Sequence, residues 1–168
     1  MKNVLKALGL LLVLLLAYVV YFVQTSSTDY SFSLASDAVS APVEIIFDDM
    51  AVPHIYAETE DDAMYALGYV HASERLWQMD LLRRAGAGEL SALLGPDMVE
   101  NDQYLRTLGM REAAARAPGE VAAHAPQRIQ TAMAAYLDGI TRFIAEDKTP
   151  LEYQLLGAAP KPSDTRAA

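Results

Sequence analysis

The side chains that could do chemistry in this sequence are few and widely spaced. There are three histidines, His54, His71 and His124, and no cysteine. His54 and His71 are 17 positions apart, and His124 reads as a loop residue. No His-x-x-x-His pair exists, so spacing gives a zinc site no support, and a structural role for each histidine is the stronger reading. The lack of cysteine removes a thiol nucleophile, a disulfide framework and a zinc ribbon. Sequence order never excludes a Ser/His/Asp triad, but no Gly-x-Ser-x-Gly elbow supports one. Gly86-Ala87-Gly88 has no Lys-Ser/Thr after it, so it is not a phosphate loop.

The acidic groups Asp48-Asp49 and Glu60-Asp61-Asp62 could suggest a metal. For Glu60, Asp61 and Asp62 the helix-dipole reading is stronger, because negative charge suits a first helical turn. Arg83 and Arg84 stand where a helix C-terminus would favour cations. Arg75 has two readings: a buried node making several hydrogen bonds, or a solvated side chain with Glu74 nearby.

The elements that must position these groups follow from periodicity. Val43–Phe47 and Val52–Ala57 read as short strands around a turn at Asp48-Asp49-Met50-Ala51, with Pro53 suited to an edge or a first strand position. Thr59 with Asp62 is a capping-box variant. Met64, Leu67, Val70, His71, Leu76, Met79 and Leu82 predict a helix from Asp61 to about Arg84, with a break near Gly68 and a stop at Gly86 and Gly88. Short helical pieces follow at 89–94, 102–110 and 112–116, and Pro118-Gly119 is expected to break them. From Pro126, the stripe Ile129, Met133, Tyr136, Ile140, Phe143 and Ile144 predicts the clearest helix, ending near Asp147. Leu151–Leu156 predicts a last short helix. The expected class is α+β, a mostly helical fragment with a short strand pair.

The N-terminus is a different material. Residues 7–23 hold no charged side chain, Lys2 and Lys6 precede them, and Gln24-Thr25-Ser26-Ser27-Thr28 closes the run. A basic leader, an apolar stretch and a polar exit form an export signal, with the positive end on the cytoplasmic side. Seventeen apolar residues reach the lower bound for a spanning helix and lean towards an uncleaved anchor. Ala38-Val39-Ser40-Ala41 has side chains fit for cleavage but lies 15 residues past the run. The expected organisation is a signal or anchor segment at 1–27, a linker at 28–42, the main region at 43–157 and an irregular tail at 158–168.

The chain has 168 residues and a formal net charge of −9. Residues 28–168 hold 11 basic and 22 acidic side chains, net −11. Nucleic acid is an unsuitable partner, because phosphates demand a basic patch. The membrane contact expected is through residues 7–23.

Several motifs in register go further. Val43-Glu44-Ile45 through Val52-Pro53-His54-Ile55-Tyr56-Ala57 comes first, then Leu67-Gly68-Tyr69-Val70-His71-Ala72-Ser73-Glu74-Arg75-Leu76-Trp77-Gln78-Met79-Asp80. Arg83-Arg84, Gly88, Leu94-Gly95, Asp102 and Arg106 follow, and later Tyr136-Leu137-Asp138-Gly139 and Glu152 to Gly157. These resemble the start of the α chain of the penicillin acylase family, in order and spacing, over about 116 residues. The family pattern is a D-x-x-G-V-P-H-I turn, a G-Y-V-x-A-x-D-R-x-x-Q-M helix, an R-R pair and a D-x-x-x-R.

The resemblance implies an N-terminal-nucleophile hydrolase of αββα architecture that cleaves linear amides, including penicillins and acyl-homoserine lactones. It implies a precursor that cuts itself into an α and a β chain. The new N-terminal Ser of the β chain is then the nucleophile, its own amine the base, and oxyanion donors stabilise the intermediate. It implies calcium in the full-length enzyme, held mainly by β-chain residues and by an α-chain Glu past the last residue of this sequence. No catalytic, metal or acyl-pocket residue carries over. What carries over is non-catalytic scaffold: Asp48, His54, Arg75, Gln78, Arg83, Arg84, Asp102 and Arg106. The implied partners are the β chain of the same precursor and an N-acyl small molecule.

Departures from the pattern stand at Ala51 for Gly, Ser73-Glu74 for Gln-Asp, Ala92 for Glu and Thr141 for Asn. Ala51 raises the question of a turn that needs φ > 0. After Gly157 the usual Pro-x-x-Trp is replaced by Pro160-Lys161-Pro162-Ser163-Asp164. That ending leads to the expectation of a truncated, frameshifted or partial product, inactive alone. The competing expectation is a membrane-tethered, non-catalytic helical module or the product of a decayed gene.

Overall fold

A computed structural model describes residues 2–26, 30, 33, 36–146 and 148–160. The chain divides into two compact units, Met1–Ser31 and Phe32–Ala168.

The first unit is helix α1, Lys2–Ser26. Its stretch Lys2–Gln24 is long and apolar enough to cross a membrane, a test that signal sequences also pass. At about 1.5 Å rise per residue it exceeds the roughly 30 Å hydrocarbon core of a bilayer. Near its C-terminal end the rings of Tyr18 and Phe22 stack 5.9 Å apart.

The second unit opens with a strand pair, β1 (Glu44–Phe47) and β2 (Pro53–Tyr56), antiparallel with Ile45 opposite Ile55 and Phe47 opposite Pro53. Pro53 takes the first position of its strand, where no ladder amide is lost. Helices follow: α2 (Glu60–Ala87), α3 (Ser91–Leu94), a 3-10 turn at Pro96–Met98, α4 (Val99–Thr107), α5 (Met110–His124), α6 (Gln127–Ile144) and α7 (Leu151–Leu156). The expected class, α+β and mostly helical with one strand pair, is the observed one.

α2 starts on the Thr59 cap, whose side chain accepts from the Asp62 amide at 3.1 Å. It does not break at Gly68. A Cβ on Gly68 would sit 2.0 Å from the carbonyl oxygen of Tyr136, and one on Gly139 would sit 2.0 Å from that of Tyr65. The two glycines therefore mark a crossing of α2 and α6 at backbone contact. The loss of helix propensity at Gly68, about 1 kcal/mol, is offset by that packing. Gly86 stays inside α2. Gly88, with φ +64, ends the helix, and its amide bonds back to Ala85 O at 2.9 Å.

The core lies between α2, α6 and α7. Tyr69, Ala72, Leu76, Ile140, Phe143 and Tyr153 are buried together, and Tyr69 meets Phe143 edge to face at 5.6 Å. The buried face of α2 runs Tyr65, Tyr69, Ala72, Leu76, Asp80. The expected stripe meets the buried core at Val70 and Leu76 and misses it elsewhere: Met64, Leu67 and Met79 are half-buried, His71 is exposed and Leu82 is 74% exposed. The buried face includes Tyr and Asp, whose polar atoms find partners, so counting aliphatic residues alone drew in positions from neighbouring rows. On α6, Ala132, Gly139, Ile140 and Phe143 are buried, while Ile129 and Met133 are exposed.

Two further expectations are corrected. α5 continues through Pro118, and His124 is its last residue rather than a loop residue. Residues 112–120 are exposed, so water can take the carbonyl that Pro118 cannot serve, and six alanines support the helix. Residues 36–42 are not a free linker: Ser36 bonds Tyr65 and Ser40 bonds Asp62. The expected linker residues 28, 29, 31, 32, 34 and 35, and tail residues 161–168, lie outside the described residues.

Replacing Gly68 or Gly139 with Ala is expected to destabilise the fold by about 3 kcal/mol, because the methyl meets backbone rather than a movable side chain. Gly119→Ala, with nothing within 4 Å, should be neutral or stabilise by about 0.5–1 kcal/mol. Urea midpoints of the three variants check the contrast.

Candidate functional site

The eight scaffold residues do not converge on one cleft. Six of them fall into three places. The first is the hairpin turn. Asp48 Oδ1 accepts the amides of Met50 and Val52, each at 2.9 Å, and its backbone carbonyl accepts the Ala51 amide at 2.9 Å. His54 Nε2 lies 3.3 Å from Asp48 Oδ2. The Val52 amide, with help from His54 and Met50, holds the Asp48 carboxyl below its ordinary value. Ala51 has φ +58, the only positive φ of a non-glycine residue among those described. The turn therefore requires the left-handed region that the family's Gly would occupy freely.

The second place is the end of α2. Asp80 is 3% exposed and accepts three side chains: Arg83, Arg84 Nε at 2.8 Å, and the hydroxyl of Tyr153 at 2.7 Å. Arg84 also donates to the carbonyl of Ala159 at 3.2 Å. Trp77 packs edge-on against Tyr153 at 5.1 Å. Burial pushes the Asp80 carboxyl up, but the bonds from Tyr153, Arg84 and Arg83 outweigh it and leave it below the usual range. The same burial and the Asp80 charge push the Tyr153 phenol up. The node fastens α2 to α7 and to the chain after it.

The third place is the turn between α2 and α4. Asp102 is buried and accepts the amides of Leu90 and Ser91, each at 2.8 Å, at the start of α3. One turn further along α4, Arg106 Nε donates to the carbonyl of Gly88 at 2.9 Å. Burial raises the Asp102 carboxyl, and its bonds from Ser91 and Leu90 more than reverse that. A Cβ on Gly88 would lie 2.6 Å from Arg106 Cγ and 2.7 Å from Asp102 O, so this turn admits only glycine.

Arg75 and Gln78 take no part in these nodes; both are exposed. Of the two readings of Arg75, the structure selects the solvated one, and the buried arginine is Arg84. Asp62 escaped notice as more than a first-turn charge. It is 3% exposed and bonds the Ser40 amide and hydroxyl at 2.8 and 2.6 Å. Asp80 and Tyr153 were not singled out either. The Asp80-x-x-Arg83-Arg84 spacing was a usable signal, since i, i+3 and i, i+4 pairs share a helix face. Tyr153, 73 residues away, had none.

A carboxylate saturated by donors of its own chain is an anchor, not a base awaiting substrate. Among the described residues no group of three or more His, Asp or Glu is placed to hold a metal ion. The geometry defines a structural scaffold of the α+β class, tied by buried aspartates.

Comparison with known proteins places that scaffold. Residues 42–167 match the family model for penicillin amidase, and the chain belongs to that family. It is 39% identical over 140 residues to the penicillin acylase 2 proenzyme of Pseudomonas sp. strain SE83, covering 83% of this chain and 18% of that protein. It is 36% identical over 122 residues to the acyl-homoserine lactone acylase QuiP of Pseudomonas aeruginosa, covering 69% of this chain and 14% of the relative. A thermostable penicillin G acylase from Alcaligenes faecalis superimposes with a TM-score of 0.61 and 28% identity, over 72% of this chain and 65% of that chain. The fold is thus that of an N-terminal-nucleophile hydrolase. The chain spans less than a fifth of the curated relatives it matches.

Ala51→Gly should stabilise the hairpin by about 1 kcal/mol, read as a higher urea midpoint. Asp80→Asn should cost about 3 kcal/mol, since it leaves buried Arg84 without its counter-charge, and Tyr153→Phe about half that. Because Asp48, Asp62, Asp80 and Asp102 are all held below their ordinary values, their stabilisation is present above the unfolded value near 3.9 and is lost as pH falls through the lower folded values. A pH series of melts should stay flat near neutrality and decline below about pH 4, and Asp80→Asn should flatten that decline.

Proposed function

We propose that this chain is the N-terminal portion of an exported amidohydrolase that cleaves linear amides such as penicillins, acyl-homoserine lactones or similar N-acyl compounds. The observation that carries the reading is the match over residues 42–167 to a family whose members are acylases several times longer. One relative is a proenzyme, of which the matched residues make up 18%, whereas they cover 65% of the solved acylase chain. That difference in length supports a family whose working chains are cut from a longer precursor.

In this reading the 168 residues supply scaffold and the chemistry lies in a β chain. There a Ser at the new N-terminus attacks the amide carbonyl and its own amine accepts the proton. Donors on that chain stabilise the oxyanion, and calcium is held mainly there, with one Glu from the part of the α chain that follows these residues. α1 carries the chain out of the cytoplasm and anchors it at the outer face of the inner membrane, with Lys2 and Lys6 inside.

The 168-residue chain alone is inactive in this account. Incubated with a chromogenic acyl-amide it should release no chromophore above the buffer rate, and expression fused to the remainder of an acylase precursor, the rest of the α chain and the β chain, should restore release. Turnover by the isolated chain would refute the proposal.

A further inference from the structure

The segment ahead of β1 has the composition of a linker, yet its last residues are part of the fold. Ser40 donates its amide to Asp62 Oδ1 at 2.8 Å and its hydroxyl to Asp62 Oδ2 at 2.6 Å. Ser36 Oγ and Tyr65 Oη lie 2.9 Å apart, and Ser36 Oγ accepts the Ala38 amide at 3.2 Å. Asp62 and Tyr65 sit one helical turn apart on the buried face of α2, at 3% and 6% exposure. Two consecutive points of the incoming chain are therefore fixed to the first turns of the longest helix. The Asp62 amide is meanwhile taken by Thr59, so one residue joins the helix cap to the docked chain.

A buried carboxylate needs its donors; stripped of them, it carries an uncompensated desolvation cost. Ala38-Val39-Ser40-Ala41 has the small-x-small pattern that export peptidases accept, with the cut after Ser40. There, water adding across the peptide bond would leave a carboxylate on Ser40 and an ammonium on Ala41. The Ser40 amide and hydroxyl, the leading donors to Asp62, would depart with the leader, and only Thr59 and the Ala41 nitrogen would remain beside the carboxylate. We infer that residues 36–42 belong to the mature folded protein, and that any removal of α1 occurs at a bond on the N-terminal side of Ser36. This deepens the export reading of α1, but it rests on the contacts of Ser36 and Ser40 and holds whether α1 is cut or kept.

The test has two arms. The full chain is produced in an export-competent bacterium, and the N-terminus of the recovered protein is read by mass spectrometry. The expected start is Met1 or a residue no later than Ser36. A pool dominated by chains starting after Ser36, above all at Ala41, whose ammonium would then face Asp62 in place of Ser40, overturns the inference. Failure to export counts against the export reading alone, and the second arm then decides. The full chain in detergent is treated briefly with a broad-specificity protease. The protected core should begin no later than Ser36, and in Ser40→Val and Asp62→Ala the fraction beginning after Ser40 should rise several-fold. A wild-type core that already begins after Ser40, or a fraction that neither variant changes, overturns the inference.

Discussion

Backbone contact between two helices is the constraint on which the second unit is built. At Gly68 and Gly139 a single methyl would lie 2.0 Å from a carbonyl oxygen of the opposite helix. No rotamer change can relieve such a clash, because the obstacle is main chain. The crossing fixes how α2 and α6 meet, and the rest of the core is a consequence. Tyr69 and Phe143 meet edge to face because their helices cross where they do. On either side of the crossing, Tyr136 approaches His71 to within 3.0 Å and Tyr69 donates to Glu146 at 3.0 Å.

Around that crossing, aspartates do the fastening. Asp62 holds the incoming chain, Asp80 holds α7 and Ala159 through Arg84, and Asp102 holds the turn after α2. In each, charge-assisted bonds from amides, hydroxyls or arginines outweigh burial. The motif residues that take part in these bonds keep the frame in shape, a role that agrees with the proposed reading in which the chemistry is done elsewhere in the enzyme. Arg75 and Gln78 differ from the others in taking no part in the three nodes.

Much of the fold was readable because local rules governed it. The Thr59 cap, the stop at Gly88, the strand pair and the α6 and α7 boundaries each depend on neighbours within a few positions. The need for φ > 0 at Ala51 was readable from the family pattern and is met in the structure. What escaped was set by distant partners. Gly68 looked like a break because its compensation is Gly139, 71 positions on. Pro118 looked like a stop because exposure, not sequence, lets α5 pass through it. Asp80 looked ordinary until Tyr153 and Arg84 closed around it. The docked Ser36 and Ser40 had linker composition, and only the buried Asp62 and Tyr65 distinguish them from one.

The central claim is that these 168 residues are a scaffold and that the nucleophile of the enzyme lies outside them. The most direct measurement treats this chain, alone and expressed as the start of a complete acylase precursor, with a serine-directed sulfonyl fluoride and follows intact and peptide masses. The account predicts no stoichiometric adduct on any residue of this chain in either sample, and one adduct on the N-terminal residue of the β chain. A single stoichiometric adduct mapped to a serine within residues 1–168 would contradict it.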